Sequence, residues 1–197
     1  MPRRDYPWTR FPQAEAVLVF VRALGAARTG DATAANKDLD RLQELRANLV
    51  RADGDAFKDY WLTQIDLHRQ MVTAWIANAQ GKREEALQML RTAADREDAI
   101  ERDPVVPGPI ISARELLGEL LLESNRPRQA LEAFEADLRN EPSRFWSLYG
   151  AAQAAERAGD RERATFFCSV LVAQTEHADE DRPEVAAART FLQAVKE

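Results

Sequence analysis

A chain of 197 residues, 45% hydrophobic and 30% charged, has the composition of an ordinary folded domain and excludes a disordered or collagen-like chain. Its net charge of −6, with basic residues scattered among acidic ones, argues against nucleic acid, which needs a basic surface. Its one cysteine, Cys168, excludes an intramolecular disulfide, argues against a cysteine-based metal site, and reads as a small buried apolar residue.

Residues 1–12 place Tyr6, Trp8 and Phe11 between Pro2, Pro7 and Pro12, a spacing that forbids regular helix. This arm is expected to fold back over one end of the domain; the alternative is insertion into a second copy, giving a homodimer. The apolar run 16–21 is flanked by Glu15 and Arg22 and is too short to span a bilayer. With no export signal, the expectation is a cytoplasmic protein with no membrane partner.

Residues 13–29 predict a helix with Val17, Phe20, Val21 and Leu24 on one side, ended by Gly30-Asp31. A second helix over 32–52 turns Ala35, Leu39, Leu42, Leu45 and Leu49 inward. Gly54 suits its left-handed end, and Asp55 the cap of the next helix. The third, over 56–80, is rich in aromatics (Phe57, Tyr60, Trp61, Trp75) and stops at Gly81. The fourth follows with Ala86, Leu87, Leu90 and Ala93. Three prolines within 103–109 predict an extended loop, read as a structural bridge, with a lid as the alternative.

Residues 111–142 read as two helices broken at 124–127. The first carries Leu117, Gly118 and Leu121; the second carries Ala130, Phe134 and Leu138. Residues 144–175 repeat the arrangement around Gly159-Asp160, with Ala152 and Ala155 before the break and Ala164, Cys168 and Leu171 after it. A polar connector over 176–182 leads to a last helix from Pro183, with Val185, Ala188, Leu192 and Val195 on one face.

The breaks at Asn125 and Gly159 lie 34 residues apart. Leu117, Gly118, Leu121, Ala130, Phe134 and Pro142 stand where the tetratricopeptide repeat (TPR) pattern has its leucine, glycine, tyrosine, alanine, aromatic and proline. The chain thus resembles the TPR family, whose units are helix–turn–helix pairs of this period. Two further, more divergent units align on Gly30 and Gly81. The stretch from about Asp5 to Leu192 also resembles the C-terminal portion of longer bacterial TPR proteins, through the proline-rich step and the ARELLGELLLE helix. The resemblance implies an all-α, right-handed superhelical solenoid of antiparallel helix pairs: three to four repeats over 13–182, preceded by the arm at 1–12 and closed by a capping helix at 183–197. Gly118, Leu121, Ala130, Phe134, Ala152 and Ala164 are then expected in the core.

Catalytic motifs are missing: there is no GxSxG, no HExxH and no phosphate-cradling glycine loop. His177 with Asp179, Glu180 and Asp181 lacks metal-ligand spacing and reads as a solvated turn. Glu115, Glu119 and Glu123 recur every four residues and read as a solvated acidic stripe. No enzyme, no catalytic residue, no metal and no cofactor are expected.

The resemblance also implies a concave groove lined by the first helix of each pair, of the kind that binds peptides. The candidate partner-binding residues are Phe20, His68, Met71, Trp75, Asn78, Glu115, Glu119, Trp146, Tyr149 and Arg157. The expected partner is a protein or peptide segment with an apolar anchor and flanking basic residues, and an acidic chaperone tail is disfavoured. The leading expectation is a scaffolding or protein-binding module, with a self-association or regulatory module as the alternative. Packing of Phe20, Met71 and Trp75 into the interior is the structural alternative to an open groove.

Overall fold

The computed structural model describes residues 11–51, 57–101, 105, 107–178 and 182–196. Those residues are all-helical: α1 (Pro12–Arg28), α2 (Ala32–Arg51), α3 (Lys58–Ala79), α4 (Arg83–Asp98), α5 (Ala113–Glu123), α6 (Pro127–Asn140), α7 (Phe145–Ala158), α8 (Arg161–Gln174) and α9 (Pro183–Lys196). The expectations for the 1–10 arm, for Gly54 and Asp55, and for Asp179, Glu180 and Asp181 lie outside the described residues. The chain divides into two compact units, Met1–Ile110 and Ile111–Glu197.

Four helices end in the same way. Among the described residues, Gly30, Gly81, Asn125 and Gly159 are those with positive φ, between 55° and 81°. In each case the next N–H reaches back to the carbonyl five residues earlier: Asp31 to Ala26, Lys82 to Ala77, Arg126 to Leu121 and Asp160 to Ala155, each at 2.9 Å. This is the Schellman arrangement, which satisfies carbonyls that the helix leaves open. Glycine tolerates the left-handed conformation without steric cost, and asparagine is a common substitute. All four helix breaks expected from the sequence are therefore real turns of one geometry. After two of them an aspartate starts the next helix: Asp31 Oδ1 accepts from Ala34 N, and Asp160 Oδ1 from Arg163 N.

In the first unit α1 packs on α2 and α3, α2 on α3, and α3 on α4. Ala16, Val19, Leu42, Leu45, Leu49 and Ile65 form one core cluster, with Leu39, Trp61 and Leu62 against it. Ion pairs fix the helices at their edges. Arg22 forks onto buried Asp38 at 2.7 and 2.5 Å, and Arg46 onto Asp66 at 2.7 and 2.9 Å. Arg41 holds Glu15 from α2. The proline-rich loop is tied to α3, because Tyr60 Oη donates to the Pro107 carbonyl at 2.6 Å, which suits a structural bridge.

In the second unit each helix from α5 to α9 packs on the next, and α5 also touches α7. Phe134 on α6 is the wedge between them. A Cβ added at Gly118 on α5 would lie 2.6 Å from its ring, and one at Gly150 on α7 would lie 2.4 Å from it. Only hydrogen at both positions leaves room for the ring. Leu121, Ala130, Ala152 and Ala164 are buried, as the sequence pattern requires.

Candidate binding surface

The candidate residues on α1 and α3 are interior. Phe20 and Met71 are fully buried, and Trp75 and His68 nearly so. The His68 ring stacks on Phe20 with centroids 4.0 Å apart and planes 6° from parallel. Burial holds the imidazole neutral, lowering its pKa from the usual 6.5 to about 4. The Arg28 guanidinium lies over the Trp75 ring at 4.5 Å. Asn78, half-buried, accepts from Arg83 Nε at 3.2 Å. An exposed aromatic groove wall at Phe20, His68, Met71 and Trp75 is thus not what the chain forms. Their shared helical face is real, but α1 packs on α3 and Phe20 covers His68 directly.

Glu115 also departs from the expected solvated stripe, since it is buried whereas Glu119 is half-buried and Glu123 exposed. Ser112 caps α5 by accepting from Glu115 N at 3.0 Å, and serine followed three residues later by glutamate is the capping-box sequence. The Glu115 carboxylate lies 3.7 Å from Arg144 Nε, which is 3.5 Å from Asp137. Asp137 in turn accepts from Ser147 Oγ at 2.5 Å. This buried polar cluster ties α5, α6 and α7 together. Glu115 belongs to that joint and presents no carboxylate to a partner.

The second unit keeps the remaining candidates at its surface. Trp146 is 47% exposed on the first turn of α7, edge-on to Phe145 at 5.2 Å and to Tyr149 at 6.4 Å. Gln153 Nε2 donates to the Tyr149 hydroxyl at 2.9 Å, and Arg157 Nη1 donates to the Leu122 carbonyl on α5 at 3.2 Å. Trp146, Tyr149, Gln153 and Arg157 therefore form one strip down α7, joined at its lower end to α5. Charged groups of both signs approach it. The Tyr149 hydroxyl has its pKa raised, first by burial and then by Glu184 on α9 and Glu156 on α7, against a smaller opposing effect of Arg157. The Arg182 guanidinium lies 5.0 Å from the Phe145 ring centre, just before α9.

The sequence reading missed Glu184, Phe145 and Arg182 as neighbours of this strip. Phe145 is the sequence neighbour of Trp146 at the start of α7, whereas Glu184 and Arg182 approach from α9 and the residue before it, which no periodicity connects to α7. Cys168 is buried, and that burial pushes its thiol up to about 11, so it stays protonated. Among the described residues no helix is long and apolar enough to cross a membrane. A comparison with protein-family models and a comparison with curated proteins each find no match to this chain.

Proposed function

We propose that the chain is a non-catalytic protein-interaction module of the cytoplasm, built from TPR-like helix pairs of a right-handed solenoid closed by α9. Its second unit binds a peptide segment along α7 and the adjoining part of α5. The observation that carries this reading is Trp146, half-exposed and edge-on to Tyr149, whose hydroxyl feels Glu184 and Glu156. A large exposed aromatic held by aromatic neighbours is the side chain that most often dominates binding energy. Glu156 and Glu184 beside Tyr149 favour a basic ligand there, and Arg157 and Arg182 confine that preference to the Tyr149 side of the strip. The partner is thus a segment with an apolar anchor for Trp146 and Tyr149 and with lysine or arginine beside it. The four turns of one geometry and the alternate-helix contact of α5 with α7 support the repeat architecture.

The test is selection of random 16-residue peptides displayed on phage against the whole chain and against Trp146→Ala. Enrichment of peptides with an apolar anchor and flanking Lys or Arg, lost on Trp146→Ala, is expected. The expected loss is about thirtyfold in affinity, which corresponds to the scale of an aromatic hot spot, about 2 kcal/mol. Failure to enrich any peptide, or enrichment that survives Trp146→Ala, would overturn the proposal.

A further inference from the structure

The hydroxyl of Tyr149 is engaged on one side only. A phenol oxygen accepts hydrogen bonds and has one proton to give. On the accepting side Gln153 Nε2 donates to it at 2.9 Å from one turn further along α7. On the giving side no described residue takes the proton. Glu184 on α9 and Glu156 on α7 act on the hydroxyl through space, yet neither accepts from it. Burial first, and then these two carboxylates, raise the phenol above its usual pKa, so it keeps its proton. The ring is half-buried, and Trp146, one turn before it, stands edge-on to it. The strip thus presents an apolar anchor site and, beside it, one oriented donor whose partner the chain does not supply.

We propose that Tyr149 donates this proton to a main-chain carbonyl of the bound segment, and that Gln153 is the positioning residue that turns the proton outward. This rests on the reading of α7 as a peptide site and names the group that the site recognises beside the apolar anchor. Of the acceptors a peptide offers, a side-chain carboxylate would meet Glu184 and Glu156, with only the smaller opposing effect of Arg157. A neutral carbonyl meets no such repulsion. Its register follows from the helix. Trp146 and Tyr149 are one turn apart, about 4.5 Å along the axis. An extended segment advances about 3.3 Å per residue, so the carbonyl in reach is that of the anchor residue or of the one after it. A ligand that was helical at its anchor would have those carbonyls taken by its own amides. The site therefore selects a segment that is extended where it crosses Trp146 and Tyr149.

The probe is the tightest peptide recovered by the phage selection, synthesised and titrated into the full chain by calorimetry. Tyr149→Phe, which keeps the ring, is expected to bind about three- to tenfold more weakly, the scale of one hydrogen bond. Replacing the amide after the anchor residue by an ester, and in a second peptide the next amide, weakens each carbonyl as an acceptor. One of the two esters should cost the wild type a similar factor and cost Tyr149→Phe nothing further. Gln153→Glu turns the hydrogen bond round, because a carboxylate accepts the phenol proton. Its loss should match that of Tyr149→Phe, and the double variant should lose no more, although the added negative charge alone would favour a basic peptide. The ester arm leaves the protein unaltered, so the test stands even if a variant loses helix. Equal binding of Tyr149→Phe and wild type, an ester cost that persists in Tyr149→Phe, or a folded Gln153→Glu that binds as the wild type does would overturn the proposal. Peptides that lose affinity on Trp146→Ala but not on Tyr149→Phe overturn this inference alone, whereas a selection that yields no peptide overturns the reading it rests on as well.

Discussion

Phe134 shows how one side chain fixes the spacing of three helices. Its ring fills the slot left by hydrogen at Gly118 and Gly150, so α5 and α7 close on it from both sides. Within a helix, glycine to alanine ordinarily stabilises by about 1 kcal/mol. Here Gly150→Ala is expected to reverse that sign and cost about 1–3 kcal/mol, because the ring has nowhere to move. Phe134→Leu should cost less in the Gly150→Ala background than in the wild type, since the smaller side chain relieves the clash. Urea unfolding of the four proteins measures this coupling, and additive costs would mean that the ring is not wedged.

His68 makes a second prediction at this scale. The unfolded chain takes up the imidazole proton near pH 6.5, the folded chain only near 4. Between those values the unfolded state binds more protons, so stability falls as pH drops through the window. The loss is about 1.4 kcal/mol per pH unit, or roughly 3 kcal/mol in all, and none of it is felt above the unfolded pKa. His68→Leu removes this contribution. Unfolding midpoints at pH 7 and 4.5 should therefore diverge less for the variant, and equal divergence would contradict a neutral buried imidazole.

At the scale of the element, the four Schellman turns set where each helix stops. Gly159 has φ of 76°, so Gly159→Ala is expected to cost about 1–2 kcal/mol, the penalty for an L side chain in the left-handed region. Asn125 already pays part of that penalty at φ of 55°, so Asn125→Gly should be neutral or slightly stabilising. Thermal unfolding of both variants decides it, and a Gly159→Ala as stable as the wild type would be inconsistent with the observed turn. These turns were legible in the sequence because Gly-Asp, Gly-Lys, Gly-Asp and Asn-Arg-Pro interrupt long helical patterns. The Phe134 slot was legible only by half. Gly118 falls on the repeat pattern, whereas Gly150 stands one period after Leu116, where the pattern asks for no glycine.

For the whole molecule, the helical architecture could be read from periodicity, but the covered faces could not. Spacing placed His68, Met71 and Trp75 on one face of α3 and Glu115, Glu119 and Glu123 on one face of α5. It carries no information on what lies over each face. Phe20 and Arg28 of α1 lie on His68 and Trp75 of the first, and Arg144 reaches Glu115 of the second. Val21, expected beside Phe20 and Leu24 on the inward side of α1, is exposed instead. Of the candidate residues it is Trp146 and Tyr149 on α7 that stay partly at the surface, with Glu156, Glu184, Arg157 and Arg182 near them.

The central claim is that this strip receives a ligand, and the indole N–H of Trp146 reports on it directly. In a ¹H–¹⁵N correlation spectrum of the full chain, Trp146→Ala assigns that resonance. Titration with the most enriched basic-apolar peptide should shift it saturably, together with backbone amides of α7 and of the adjoining end of α5, and leave the Trp75 indole in place. Saturable shifts confined to α1 and α2, with the Trp146 resonance unmoved, would contradict the account.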